Sequence, residues 1–197
     1  MTSAAAALVS RPARDRLLVA ALARFAADGS LAATLERIRG DAGVSVGALY
    51  HHFPDKRALA TELYVQGLAD YEPGALEVLR EQVDARLGVE GVVRHHLRWS
   101  AANRTMARFL LDERGAVDDA VVTRASRPFL ADVMAWYRPH AHYGTVRTLP
   151  FDVAHALWLG PSQEYLRHWL AGRAKTVPRA AADTLATAAW NSLREEP

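Results

Sequence analysis

The sequence has no cysteine among its 197 residues, which excludes disulfide bonds, thiolate metal ligands and cysteine nucleophiles. It has almost no lysine: of 24 basic residues, only Lys56 and Lys175 are lysines and the others are arginines. No uncharged apolar run is long enough to cross a membrane, and the first nine residues lack the basic and apolar regions of a secretory signal. We therefore expect a soluble cytoplasmic protein with no membrane association and a short disordered start.

The sequence also lacks the alternating β-branched runs that are typical of strands. Alanine, leucine and arginine instead recur at helical spacing throughout. This pattern predicts an all-α fold of about nine helices. We expect a three-helix head over residues 1–56 and a larger helical body over residues 57–197.

Proline and glycine suggest where the helices end. The first helix should begin near Pro12 and end at Gly29, and the fourth should end near Pro73. Gly88 marks a further expected break. Pro161, which follows Gly160, should kink a later helix because proline removes a backbone donor.

Residues 34–56 have the pattern of two short helices joined by a glycine turn. Thr34 and Ser45 stand where the two helices begin, and both residue types are favoured N-caps. Gly43 lies between the helices, at the position of the turn. This is the layout of a helix-turn-helix, which places its second helix in the major groove of DNA. The apolar residues that we assign to its core are Leu35, Ile38, Leu49 and Phe53.

Charge is distributed in a way that suits a polyanionic partner. Residues 1–60 contain eight Lys and Arg against five Asp and Glu, whereas the rest of the chain contains 16 against 17. The first third is therefore the more basic part, although the bias is modest. Arg11, Arg14 and Arg16 could form a mobile arm that reaches toward a groove.

The chain resembles the TetR family of transcriptional regulators. The matching residues are Phe25, Gly29, Thr34, Ile38, Ala42, Gly43, Val44, Ser45, Gly47, Leu49, Tyr50, His51, His52, Phe53, Lys56 and Leu59. Three segments of the body, 157–161, 167–172 and 185–193, are similar to the family's dimerisation region. The resemblance implies a homodimer that binds a palindromic operator on double-stranded DNA. It also implies a small-molecule effector that enters the helical body and releases the DNA, as in a repressor.

The second helix of the motif offers small surfaces to DNA. Val46 and Ala48 would face base edges, and Gly47 would let the backbone approach closely, although it could also be a poor helix residue that packing tolerates. The resemblance assigns Tyr50 to a phosphate, and His51 would reach another. This helix has no arginine or lysine to read guanine, so specificity should depend on apolar contacts and DNA shape.

Four more residues are candidate DNA contacts. Thr34 and Ser45 could bind phosphate at helix N-termini or could act only as caps. The resemblance assigns Lys56 to a phosphate, whereas a lone surface lysine is usually only solvated. Arg39 stands where the family has a small residue, so it either places its head near phosphate or shifts the packing locally.

The body contains many bulky side chains, which in a helical protein are more often core than pocket. An apolar or aromatic effector is the natural ligand for such a cavity. The candidate ligand contacts are Trp99, Asn103, Met106, Phe109, Met134, Tyr137, Gln163 and Tyr165. We expect no metal, because His95 and His96 diverge by about 100° on a helix. We also expect no cofactor.

The last two helices are the candidate dimer interface. Packed against their mates, they would form a four-helix bundle across a two-fold axis, and the alternative is a core within one molecule. The candidate interface residues are Leu157, Gly160, Glu164, Arg167, Leu185, Ala189, Trp190 and Leu193.

We find no catalytic triad, phosphate-binding glycine loop or carboxylate pair on one helix face, so we do not expect an enzyme. The main hypothesis is a dimeric, effector-responsive DNA-binding regulator. The alternative is a helical small-molecule-binding protein or enzyme in which the helix-turn-helix is only structural.

Overall fold

A computed structural model describes residues 11–195. This part of the chain contains nine α-helices: α1 Ala13–Ala32, α2 Leu35–Ala42, α3 Val46–His52, α4 Lys56–Glu81, α5 Ala85–Ala102, α6 Arg104–Asp112, α7 Asp119–His142, α8 Phe151–Leu170 and α9 Pro178–Leu193. A short 3₁₀ helix spans Arg114–Ala116. Residues 11–195 include no strand, only an isolated bridge between Val146 and Arg194. The predicted all-α fold is confirmed. The expected disordered start lies outside the described residues.

The chain divides into two compact units. The first extends to Gly67 and also includes Arg108–Ala125, and the second comprises Leu68–Ala107 and the chain from Ser126 onward. The division falls inside α4, α6 and α7. The predicted boundary after residue 56 instead coincides with the start of α4.

The first unit is built around α1, against which α2 and α3 pack. Its core contains Phe25, whose ring stacks on Phe109 with a centroid distance of 5.6 Å. The expected core residues Ile38, Leu49 and Phe53 are buried, and Leu35 is half-buried. The helix-turn-helix is therefore fixed by the apolar side of each short helix.

The second unit is built around α5, which packs against α8 and α9. The indole Nε1 of Trp158 on α8 donates to the carbonyl of Val89 on α5 at 3.0 Å. Leu97, Leu166 and Leu193 are fully buried in this unit. All five tryptophans of the sequence belong to it: Trp99, Trp136, Trp158, Trp169 and Trp190.

Two predicted helix breaks are wrong. Helix α4 continues through Pro73, which is exposed, while Ala75 and Leu79 after it are buried and hold the last turns in place. Gly88 lies inside α5 and makes room for a ring, because a Cβ there would lie 2.2 Å from an atom of Trp136. Helix α8 runs through Pro161, where a kink and not a break is predicted. Packing has overridden the local helix-breaking tendency at Pro73 and Gly88.

Candidate nucleic-acid interface

The ends and the turn of the helix-turn-helix have the predicted geometry. The hydroxyl of Thr34 accepts a hydrogen bond from the backbone N–H of Arg37 at 3.3 Å, which caps α2. The hydroxyl of Ser45 accepts from the N–H of Ala48 at 3.1 Å and caps α3. Gly43 has φ 60°, a left-handed conformation that glycine adopts without strain. Both caps and the glycine turn are therefore confirmed.

One side of α3 is open to solvent. Val46 is 53% exposed and Tyr50 is 55% exposed, and Gly47 and His51 lie on the same open surface. Ala48 is half-buried, and Leu49 faces the core. A Cβ added at Gly47 would meet nothing within 4 Å, so no contact within the described chain requires a glycine there. We call Ser45, Val46, Gly47, Tyr50 and His51 the α3 surface.

Arg39 braces the turn between α2 and α3. Its Nη1 donates to the carbonyl of Val44 at 2.9 Å, and its other donors bind the carboxylate of Glu36. This pairing raises the pKa of Arg39 and lowers the pKa of Glu36. Sequence reasoning gave Arg39 either a phosphate contact or a local effect on packing, and it missed this hydrogen bond, which depends on where the turn places the Val44 carbonyl. Its contact with DNA stays a prediction.

Lys56 is surrounded by backbone carbonyls. Its ammonium group donates to the carbonyls of Ser30 at 2.5 Å, Ala33 at 3.0 Å and Leu31 at 3.3 Å. A lysine ammonium has three N–H donors, so these contacts use all of them. The phosphate contact predicted for Lys56 stays a prediction, and it would require at least one of these bonds to be exchanged.

Arg14 and Arg16 do not belong to the expected mobile arm, whereas Arg11 is exposed and precedes α1. Arg14 and Arg16 lie within α1. Arg14 pairs with Glu62 at 2.5 Å, and Arg16 donates to the carbonyl of Gly43 at 3.3 Å. Arg16 thus holds the same turn as Arg39 from the side of α1, a role that sequence reasoning also missed.

A charged pair joins α1 to α2. The guanidinium of Arg24 binds the carboxylate of Asp41 through two donors, one of them at 3.0 Å. The pair raises the pKa of Arg24 and lowers the pKa of Asp41 because each partner favours the charged form of the other. Together with the hydrogen bonds of Arg16 and Arg39, this pair stabilises the position of α2 and of the turn that follows it.

The candidate ligand contacts in the body mostly have partners within the chain. Trp99 donates to Asp70 at 2.9 Å, and the Nδ2 of Asn103 donates to the Trp99 carbonyl at 3.1 Å. The hydroxyls of Tyr137 and Tyr165 donate to backbone carbonyls at 2.8 and 2.6 Å. Met106, Met134 and Gln163 are half-buried.

Phe109 is the one candidate ligand residue that belongs to the first unit. It is 1% exposed and stacks on Phe25, so its ring is fully used in the core of that unit. The other seven candidates belong to the second unit, so Phe109 is better explained as a core residue of the first unit than as a ligand contact.

The second unit contains a buried histidine that sequence reasoning weighed only as a metal ligand. His96 is 9% exposed, its ring lies edge-on to Tyr71 at 5.5 Å, and neither ring nitrogen has a hydrogen-bond partner. Burial lowers the pKa of His96 to about 4, and His95 beside it is also shifted downward in pKa by burial. Residues 11–195 contain no group of three or more histidine and acidic side chains that could hold a metal ion.

The candidate dimer residues fall into two groups. Leu157, Gly160, Arg167, Leu185 and Trp190 are half-buried and Glu164 is exposed, so a partner could reach them. Ala189 and Leu193 are 1% and 0% exposed and belong to the core of the second unit. The predicted assignment of these two residues to the interface is wrong, because both side chains are already buried within the described chain. None of the helices within residues 11–195 is long and apolar enough to span a membrane.

Residues 17–63 match the family model described as bacterial regulatory proteins of the tetR family. The chain is 28% identical over 158 residues to the HTH-type transcriptional repressor AcnR of Corynebacterium diphtheriae, a match that covers 72% of this chain and 73% of the relative. Among solved structures, it resembles a TetR family transcription regulator from Marinobacter aquaeolei VT8 with a TM-score of 0.79 and 17% identity, covering 93% of this chain and 96% of that one. It also resembles FadR of Bacillus subtilis in complex with stearoyl-CoA, with a TM-score of 0.74 and 16% identity over 90% of this chain and 98% of that one.

Proposed function

Because residues 17–63 match the tetR family model and the fold resembles that of TetR-family regulators, we propose that this protein is a transcriptional repressor whose α3 surface reads an operator. The observation that carries the proposal is the open α3 surface, with a glycine at its centre that no internal contact requires. An α-helix with small residues on its outer side can lie deep in a major groove. The relationship to the repressor AcnR supports the same function.

The proposed readout differs from the commonest one, in which arginine or lysine pairs with guanine. Val46 and Ala48 would contact base edges such as thymine methyl groups, while Tyr50 and His51 would contact phosphates. Thr34 and Ser45 stand at the N-termini of α2 and α3, where backbone N–H groups favour a phosphate. Sequence preference would then come largely from apolar fit and from DNA shape.

We further propose that the protein acts as a homodimer and that a small molecule in the body controls DNA binding. The half-buried residues of α8 and α9 are the proposed contact with the partner, and residues 57–197 are the proposed effector and dimerisation domain. FadR of Bacillus subtilis was solved with stearoyl-CoA, which supports a small-molecule effector for this fold but does not specify which one. The proposed regulator needs no enzymatic step, and we propose that it acts in the cytoplasm together with its DNA partner.

The test is selection of bound duplexes from a random DNA pool, followed by a mobility-shift titration of the recovered site. A palindromic consensus, bound at least a thousandfold more tightly than random DNA, is the expected result. A matched Tyr50→Phe variant should bind the recovered site more weakly if the Tyr50 hydroxyl contacts a phosphate. Failure to enrich any sequence and failure to shift DNA at low salt would favour the alternative, a helical small-molecule-binding protein with a structural helix-turn-helix.

A further inference from the structure

The last turn of α1 follows a break in the helix, and both its ends are held by charged side chains. Gly29, with φ 78° and ψ 157°, interrupts the helical conformation of α1. One more turn follows, closed by the N–H of Ala33, which donates to the Gly29 carbonyl at 3.1 Å before Thr34 caps α2. We call Ser30–Ala33 the clamped turn. Its first and last residues are buried, with Ser30 at 6% and Ala33 at 0% exposure.

The carbonyl end of the clamped turn is held by Lys56. The three carbonyls that receive its donors, those of Ser30, Leu31 and Ala33, all belong to this turn. Carbonyls at the end of a helical turn carry partial negative charge and favour a cation. The side chain of Leu31 is 96% exposed, so apolar packing of that residue does not hold the turn.

The amide end of the clamped turn is held by Glu113. The break at Gly29 leaves the N–H of Ser30 without a helical acceptor, and Oε1 of Glu113 accepts it at 3.0 Å. A carboxylate is the favourable partner for N–H groups at the start of a helical turn. Lys56 and Glu113 thus complement the two ends of the same turn with opposite charges.

We infer that Lys56 and Glu113 are positioning residues for DNA recognition, acting through the clamped turn that sets where α2 begins. The inference rests on the proposed DNA-binding function. It assigns Lys56 an indirect effect, because its donors are engaged by the chain itself. It also assigns an effect to Glu113, an acidic residue that a simple electrostatic account would treat as unfavourable for DNA binding.

Whether a Glu113 substitution weakens or strengthens operator binding distinguishes a positioning role from an effect of overall charge. Glu113→Ala removes a negative charge together with the acceptor, and Glu113→Gln removes the same charge but keeps an oxygen that can accept from Ser30. We expect Glu113→Ala to bind a selected operator about tenfold more weakly and Glu113→Gln to bind close to wild type. Asp119→Ala, which removes an exposed acid from the same unit, is the matched control and should not weaken binding. Tighter binding by both Glu113 variants would overturn the inference.

The salt dependence of binding tests Lys56. For a direct phosphate contact, Lys56→Gln should lower the magnitude of the log–log salt slope by about 0.9 for each protomer, or about 1.8 for the proposed dimer. If Lys56 is a positioning residue, Lys56→Gln should keep the wild-type slope while its operator affinity falls about tenfold at every salt concentration. Lys56→Arg should then regain part of the lost affinity. A reduced slope in Lys56→Gln would overturn the indirect role.

Hydrogen exchange in the free protein gives a readout that does not need DNA. Lys56→Gln and Glu113→Ala should each accelerate amide exchange over residues 30–38, while exchange in α9 stays at the wild-type rate. If both variants are folded and their exchange over residues 30–38 stays at the wild-type rate, the inference is overturned. If wild type does not bind DNA but the exchange changes as expected, the proposed function fails and the clamp itself stands.

Discussion

The guanidinium of Arg39 reaches across the turn of the helix-turn-helix and donates to the carbonyl of Val44 at 2.9 Å. The side chain therefore fixes the residue just before the N-cap of α3, and Glu36 fixes the guanidinium from the same helix. Arg39 stands where the resemblance leads us to expect a small side chain, and it stabilises the turn that orients the proposed recognition helix.

Replacing Arg39 should loosen this turn. We expect Arg39→Ala to lower the melting temperature by a few degrees and to accelerate amide exchange at Val44 and Ser45, because the Val44 carbonyl loses its donor. Arg37→Ala removes an equal charge from an exposed position on the same helix and is the control. Circular dichroism and hydrogen exchange measure the two effects. Equal behaviour of the two variants would show that the brace contributes nothing.

Gly47 gives a test in which stability and DNA binding should move in opposite directions. Gly47→Ala adds a Cβ into open space and removes the conformational freedom of glycine, so the free protein should gain about 0.5 kcal/mol in unfolding free energy. The same Cβ would keep the backbone of α3 away from a groove, so operator affinity should fall about tenfold.

Gly40→Ala is the matched control for this pair of effects. Gly40 lies in α2, and a Cβ there also meets nothing within 4 Å. It should gain stability in the same way and leave operator affinity unchanged. Wild-type affinity for Gly47→Ala would remove Gly47 from the proposed interface.

His96 predicts acid sensitivity of the fold. The pKa of His96 is about 4 in the folded protein and 6.5 in the unfolded chain. Between these pH values the unfolded chain binds more protons, so the stability of the fold decreases as the pH drops from about 6.5 to 4. At pH 5 the loss should be about 2 kcal/mol relative to pH 7.5, with His95 adding to it in the same direction.

Urea denaturation at pH 7.5 and pH 5.0 measures the His96 effect. His96→Leu should show a smaller stability difference between the two pH values, whatever its stability at pH 7.5. His51→Gln, at an exposed position on α3, should keep the wild-type difference. A wild-type difference in His96→Leu would contradict the prediction.

The half-buried side chain of Leu185 on α9 tests the proposed dimer. Leu185→Arg should shift the protein toward monomer in sedimentation experiments at micromolar concentration, because a charge would be buried in the interface without a partner. The same substitution at Leu87, 52% exposed on α5, should leave the dimer intact. A monomeric wild-type protein would contradict the dimer directly.

The features of the motif that sequence could predict are local ones. Thr34, Gly43 and Ser45 act within one turn of their own position, so residue type and spacing were sufficient for both caps and the turn. The apolar side chains Ile38 and Leu49 were equally predictable, because one face of each short helix must be buried.

The features that sequence could not predict depend on partners far along the chain. Glu113 meets Ser30 across 83 positions, and Lys56 meets Ala33 across 23. Gly88 was misinterpreted for the same reason: its lack of a side chain serves the ring of Trp136, which no local rule reveals. Ala189 and Leu193 share the apolar spacing of an interface, and only tertiary packing assigns them to a core.

Because every tryptophan lies in the second unit, the tryptophan fluorescence of the protein comes from that unit only. Excitation at tryptophan wavelengths reports on the second unit alone, whereas the first unit contributes only tyrosine emission, including that of Tyr50 on the α3 surface. A small molecule that enters the body can therefore be detected by quenching without any label. A fluorophore attached near α3 would report on DNA separately, so the two proposed binding events can be followed in one sample.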